Sequence, residues 1–155
     1  SKVTFDIRKF FEIQKEQFYN LYMQKYGVSL EVTEETPCSI TINEGRFIQV
    51  LDNLINNSIY WLRQHPVETP KVSILIQSPW LYVYDNGIGV APAIEESLFE
   101  PFVTMKPKGQ GRGLGLFIVR QLLDAVGCFI VLDERRNAYD RRYIFAMNLS
   151  NIETE

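Results

Sequence analysis

Residues 84–90 read YDNGIGV and residues 97–117 read SLFEPFVTMKPKGQGRGLGLF. An acidic residue and two glycines come directly after a short apolar run. Further on, glycines at alternate positions 109, 111, 113 and 115 open a segment in which Leu114, Phe117, Ile118, Leu122, Ala125 and Val126 recur at helical spacing until Gly127. A glycine-rich loop that feeds a helix is a place for an anion. The first backbone N–H groups of the helix lack intrahelical partners, and the helix dipole favours negative charge there. Phosphate is the anion this junction suits.

The 155 residues fit one domain with a real core, read here as residues 1–150 with a frayed tail at 151–155. With 46% hydrophobic residues, 23% charged residues and a formal net charge of -3, the chain is not suited to general nucleic-acid binding. No apolar run approaches about 18 residues, and the opening SKVTFDIRKFF lacks a signal-peptide pattern, so a soluble, cytoplasmic domain without direct membrane contact is expected. Cys38 and Cys128 sit in CSITI and CFIVL and read as small buried hydrophobes in strands. The one histidine, His65, precedes Pro66 and reads as a surface turn, and a zinc site has no ligand set to draw on.

Along the chain, residues 5–26 carry Ile7, Phe10, Phe11, Phe18, Leu21 and Tyr22 at helical spacing, with Gly27 as the stop. Residues 28–33 and 38–42 alternate with period two around EETP and predict two strands, expected to be antiparallel neighbours. Asn43 is a candidate N-cap for a helix striped by Phe47, Val50, Leu51, Leu54, Ile55, Ile59 and Leu62. Asn53, Asn56 and Asn57 lie inside that helix, each about 0.5 kcal/mol less favourable than alanine, so propensity does not explain them. Asn53 and Asn57 share a face. Their amide oxygens suit a hard cation such as Mg²⁺, while capping, buried hydrogen bonding or plain surface roles also fit the pair.

Residues 71–77 and 81–84 predict two more strands, the second delivering Asp85 at its end. Residues 88–112 show no sustained periodicity; a loop of that length reads as a lid, with a helical turn near 94–99. Residues 129–133 and 143–149 predict the last strands, joined by the charged hairpin ERRNAYDRR. Three main helices and about six strands make an α+β fold: a two-layer α/β sandwich whose mixed, mostly antiparallel sheet is covered on one face by the helices.

Two common nucleotide motifs fail on spacing. The glycines do not fit the dinucleotide fingerprint, and no Lys-Ser or Lys-Thr follows them as a P-loop requires. What stands in their place is an ordered set: Asn53-Leu-Ile-Asn-Asn57-Ser, Asp85-Asn-Gly87-Ile-Gly89, Leu98-Phe-Glu-Pro-Phe102 and Gly111-Arg-Gly113-Leu-Gly115-Leu116. In order and approximate spacing these resemble the N, first glycine, F and second glycine boxes of the catalytic ATP-binding domain of bacterial sensor histidine kinases. That is the Bergerat-fold superfamily shared with gyrase B, the ninety-kilodalton heat-shock chaperone and MutL. The resemblance covers residues 5–149.

The resemblance implies ATP and Mg²⁺ as ligands. It assigns Asp85 to the adenine 6-amino group, Gly87 and Gly89 to the tight loop beside the base, Trp61 to packing near adenine, and Asn57 to magnesium. Asn53 would face the terminal phosphate. Gly111, Arg112, Gly113, Leu114 and Gly115 would hold the phosphates, with Lys106 and Arg112 as counter-charges, and Phe99 and Phe102 would anchor the lid when nucleotide is bound. It further implies phosphoryl transfer to a histidine on a dimerisation domain of the same parent chain, with a response regulator downstream. Departures from the pattern are equally specific. Asn53 stands where hydrolysing relatives have a water-activating glutamate, Tyr60 where many histidine kinases have lysine, and Arg112 where Thr or Ser is commoner. An ATP-driven clamp, an anti-sigma-type serine kinase and a non-catalytic nucleotide-gated module are the competing readings of the same boxes.

Overall fold

The computed structural model describes residues 1–111 and 113–150. The elements run β1 (Val3–Asp6), α1 (Ile7–Gln14), a π-helical turn (Lys15–Tyr19), α2 (Asn20–Tyr26), β2 (Ser29–Thr36), β3 (Ser39–Ile42), α3 (Glu44–Gln64), β4 (Lys71–Gln77) and β5 (Trp80–Asp85). A 3₁₀ turn (Pro92–Ser97), α4 (Gly115–Asp124), β6 (Phe129–Leu132) and β7 (Ile144–Asn148) follow. The main sheet has the order β2-β4-β5-β7-β6, with β2 and β4 parallel and every other pair antiparallel.

Strand alternation explains why helices cover one face. Val72, Ile74, Ile76, Leu81, Val83, Ile130, Leu132, Phe145 and Met147 point to one side of the pleat and join a single core with Phe47, Val50, Leu51, Leu54, Ile55 and Val119 from the helices. The opposite face carries Trp80, Tyr82 and Phe129, with Trp80 stacked on Tyr82 and edge-on to Phe129. The α+β, mixed-sheet expectation holds.

Two expectations are corrected. β2 and β3 are not antiparallel neighbours: β2 lies beside β4, while β3 pairs with β1 in a separate two-stranded sheet. The break lies at the register shift between Glu34 and Thr36, followed by Pro37, which cannot donate to a ladder. The expected helix over residues 5–26 starts later, because residues 3–6 form β1 and Asp6 caps α1 by accepting from the Lys9 N–H at 3.0 Å. The helical stretch also passes through the π turn. Beside it, the buried Tyr19 hydroxyl donates to Asp52 of α3 at 3.0 Å. Both cysteines are buried, as expected, each one residue ahead of its strand rather than inside it.

Candidate nucleotide site

α3 carries the first wall of the site. Asn43 caps it by accepting from the Arg46 N–H at 3.1 Å, and its apolar stripe seats it on the sheet. The side chains flanking the stripe then face outward over one end of the sheet: Asn53, Asn56, Asn57 and Trp61 all line a cavity of about 610 Å³. Asn53 donates from its amide nitrogen to the Gly115 carbonyl at 3.4 Å, which leaves its oxygen available. Tyr22 of α2 donates to the Asn56 amide oxygen, tying that residue to its neighbouring helix.

β5 supplies the second wall. Its last residue, Asp85, accepts from the Gly87 N–H at 2.8 Å, which bends the chain back at once. Burial pushes the Asp85 carboxyl above the usual carboxylate range, while the Ser58 hydroxyl and the Gly87 N–H pull it partly back. Ser58 is 1% exposed, and its hydroxyl lies close enough to Asp85 to act on the carboxyl without completing a well-formed hydrogen bond. A buried acceptor next to an unsatisfied hydroxyl is a polar spot prepared for a hydrogen-bonding ligand. Gly89 adopts φ +86, and a Cβ there would lie 2.8 Å from Asn137 Nδ2, 2.9 Å from Arg141 Cβ and 3.0 Å from the Arg142 carbonyl. Only glycine fits where the β6–β7 hairpin crosses this loop.

That hairpin is the part of the site that sequence reasoning missed. Asn137 donates to the Ile88 carbonyl at 3.1 Å, and Glu95, 8% exposed at its side chain, pairs with Arg142 at 3.2 Å and Arg136 at 3.4 Å. Arg141 and Tyr143 thereby reach the cavity wall, as does His65, stacked 6.0 Å from Trp61 at an interplanar angle of 15°. His65 is exposed at the end of α3, as the turn reading has it, but it also borders the site. The alternation RRNAYDRR marks a turn, yet nothing local in it says which loop the turn will grip.

The lid closes the third side. Val103, Thr104, Met105, Lys106, Gly111, Gly113, Leu114, Gly115 and Leu116 line the cavity, and the Phe102 N–H donates to the Gly113 carbonyl at 2.9 Å. Phe99 packs edge-on against Phe145 at 6.2 Å, seating the start of the lid on the core. Phe102 is 74% exposed with φ +68. Arg112 lies outside the described residues. Asn53, Asn57, Trp61, Asp85, Gly89, Lys106, Gly111, Gly113, Leu114 and Gly115 are therefore gathered round one cavity, with Gly87 forming the bend beneath Asp85.

Electrostatically the cavity offers an acidic acceptor at one end and a lysine with an exposed helix start at the other. No group of three or more His, Cys, Asp or Glu side chains able to hold a metal occurs among the described residues. A cation here would draw on the neutral amides of α3 and on ligand oxygens, a donor set that fits Mg²⁺ bound with phosphate.

Comparison with known proteins identifies the family and the fold. Residues 42–149 match the family described as histidine kinase-, DNA gyrase B-, and HSP90-like ATPase. The sensor protein TorS of Escherichia coli K12 is 32% identical over 102 residues, covering 62% of this chain and 10% of that protein. The autoinducer 2 sensor kinase/phosphatase LuxQ of Vibrio vulnificus is 31% identical over 120 residues, covering 70% of this chain and 14% of that protein. The chain thus spans between a tenth and a seventh of the length of these relatives. The catalytic domain of histidine kinase ThkA superimposes with a TM-score of 0.74 at 22% identity, covering 97% of this chain and 96% of that one. The mycobacterial sensor histidine kinase MprB does so with 0.72 at 22%, covering 95% of each. No described helix is long and apolar enough to cross a membrane. The chain belongs to the histidine kinase-, DNA gyrase B- and HSP90-like ATPase family, as an ATP-binding domain of the sensor histidine kinase type.

Proposed function

We propose that residues 1–150 act as one catalytic unit that binds Mg-ATP and passes the terminal phosphoryl group to a histidine on a dimerisation domain of the same parent chain. A response regulator would take the group onward, and the unit would work in the cytoplasm. The observation that carries this reading is the convergence of Asp85, the α3 amides and the lid on a single cavity of about 610 Å³, a volume suited to a nucleotide.

Asp85 accepts the adenine amino group in a charge-assisted hydrogen bond, and guanine, with an acceptor at that position, is rejected. Trp61 packs near the base. Asn57 would hold Mg²⁺, and the ion would neutralise charge on the phosphates. The amides at the start of α4 and Lys106 meet the remaining anionic oxygens, and Asn53 is oriented toward the terminal phosphate. In the transfer, an imidazole nitrogen of the acceptor histidine bonds to the terminal phosphorus while the bond to the ADP oxygen breaks, and ADP departs with that electron pair. Asn53 carries no basic group to deprotonate water, which favours transfer over hydrolysis.

The test combines this chain with a dimerisation domain bearing the acceptor histidine and with ATP labelled at the terminal phosphate. Label should appear on that histidine, in an acid-labile linkage, and disappear with Asp85→Asn. Rapid release of inorganic phosphate by the isolated chain, with none transferred, would refute the reading.

A further inference from the structure

Lys106 is held at the cavity edge by an aromatic ring rather than by a carboxylate. It lines the cavity with Asn57 and Gly111, yet no carboxylate lies within ion-pair distance of it among the described residues. Its ammonium instead rests over the ring of Tyr60 of α3, 4.3 Å from the centroid. Desolvation lowers its pKa, and no carboxylate offsets that effect. The same tyrosine grips the lid a second time, its hydroxyl donating to the Gln110 side-chain oxygen at 2.7 Å. Gly111 completes the arrangement: a Cβ there would lie 2.9 Å from Lys106 Cδ, so its absence lets the lysine stem lie flat against the loop. A half-buried cation held on an aromatic face, without an anion, at the edge of a cavity is a cation held ready for an anionic ligand.

We propose that Tyr60 is a positioning residue for the terminal phosphate: its ring carries the Lys106 ammonium, its hydroxyl fixes the lid through Gln110, and the phosphate-binding charge is therefore delivered from the lid by α3. The inference rests on the nucleotide reading above. It adds that a lid charge reaches the phosphate only because an aromatic residue on α3 aims it.

Calorimetric titration with ATP and with ADP separates the possibilities. Tyr60→Leu and Lys106→Met should each weaken ATP binding about five- to ten-fold. The double variant should be no weaker than Lys106→Met alone, since the tyrosine acts through the lysine. ADP affinity should stay within about two-fold throughout, because the missing charge faces the terminal phosphate. Tyr60→Phe keeps the ring and should rescue most of the ATP affinity. Tyr60→Lys places an ammonium on α3 itself and should make ATP affinity indifferent to Lys106→Met. Additive losses, or equal losses for ATP and ADP, in a wild-type background that does bind ATP would overturn this inference alone. A wild type that binds neither nucleotide would overturn the nucleotide reading and this inference with it.

Discussion

The four alternate glycines look equivalent in sequence, but the structure makes them unequal, and Gly113→Ala is the variant that tests this. Gly113 sits at φ +70, and a Cβ built there would stand 2.5 Å from Phe102 C, 2.5 Å from Val103 N and 2.6 Å from Val103 O. All three are backbone atoms, so no side chain can swing aside. The left-handed conformation alone costs alanine about 1–2 kcal/mol, and forcing the backbone apart adds about 1–3 kcal/mol, for a total of roughly 2–5 kcal/mol. Three contacts hold the lid down here. The Phe102–Gly113 and Tyr60–Gln110 hydrogen bonds contribute about 1 kcal/mol each, and the Lys106–Tyr60 contact about 0.5–2 kcal/mol. The penalty is comparable to what retains the lid and smaller than what holds the core. The variant should therefore release the lid and leave the domain folded. Limited proteolysis should cut residues 103–111 several-fold faster, and ATP affinity should fall about ten-fold or more. The melting temperature should move by only a few degrees. Gly115→Ala is the internal control. Nothing lies within 4 Å of its Cβ position and its φ is not positive, so alanine at the start of α4 should leave stability unchanged or raise it by up to about 1 kcal/mol. Equal behaviour of the two variants would refute the argument.

Three further outcomes follow from the same geometry. Because burial raises the Asp85 pKa, the native state binds that proton more tightly than the unfolded chain does. Its contribution to stability should then rise as pH falls through the raised value, while ATP affinity should fall over the same window, and Asp85→Asn should remove both trends from paired melting and calorimetric pH series. Tyr19→Phe deletes the bond to half-buried Asp52 and should cost about 1–2 kcal/mol in urea denaturation, without altering the preference for ATP over GTP. Glu95→Gln removes the carboxylate shared by Arg136 and Arg142, leaving them the longer contacts to Asp140 and Glu96. With both arginines partly solvated it should cost about 1–3 kcal/mol and accelerate amide exchange in residues 86–90.

What could be read in the sequence was what local chemistry decides. The stripe from Phe47 to Leu62 and the cap at Asn43 define α3 almost unaided, and a run ending in Asp85 followed by two glycines marks a strand end that must turn sharply. Partner choice was not readable. The period-two patterns of β2 and β3 say that each is a strand, but not that Val32 will face Ile74, 42 positions away, or that Ile40 will face Phe5. Asp85, Asn57 and Gly113 could be named as site residues from their motifs. Arg141 and Tyr143 could not, because they reach the cavity only through the Asn137 bond to Ile88 and the Glu95 ion pairs. Tyr60 registered only as a departure from the family pattern; its two grips on the lid depend on residues 46 and 50 positions away.

The clamp on Glu95 also decides how the lid can travel. Its upstream end is fixed where Glu95 is ion-paired to the hairpin and Leu98 is buried at 7% exposure, and its downstream end is fixed where Gly115 enters α4. A segment pinned at both ends behaves as a strap with slack rather than as a flap on one hinge. It can bow outward, but its ends cannot part. Nucleotide would then slip in and out beneath the raised middle, and the stroke would be limited by contour length, so shortening residues 103–111 should throttle exchange before it weakens binding.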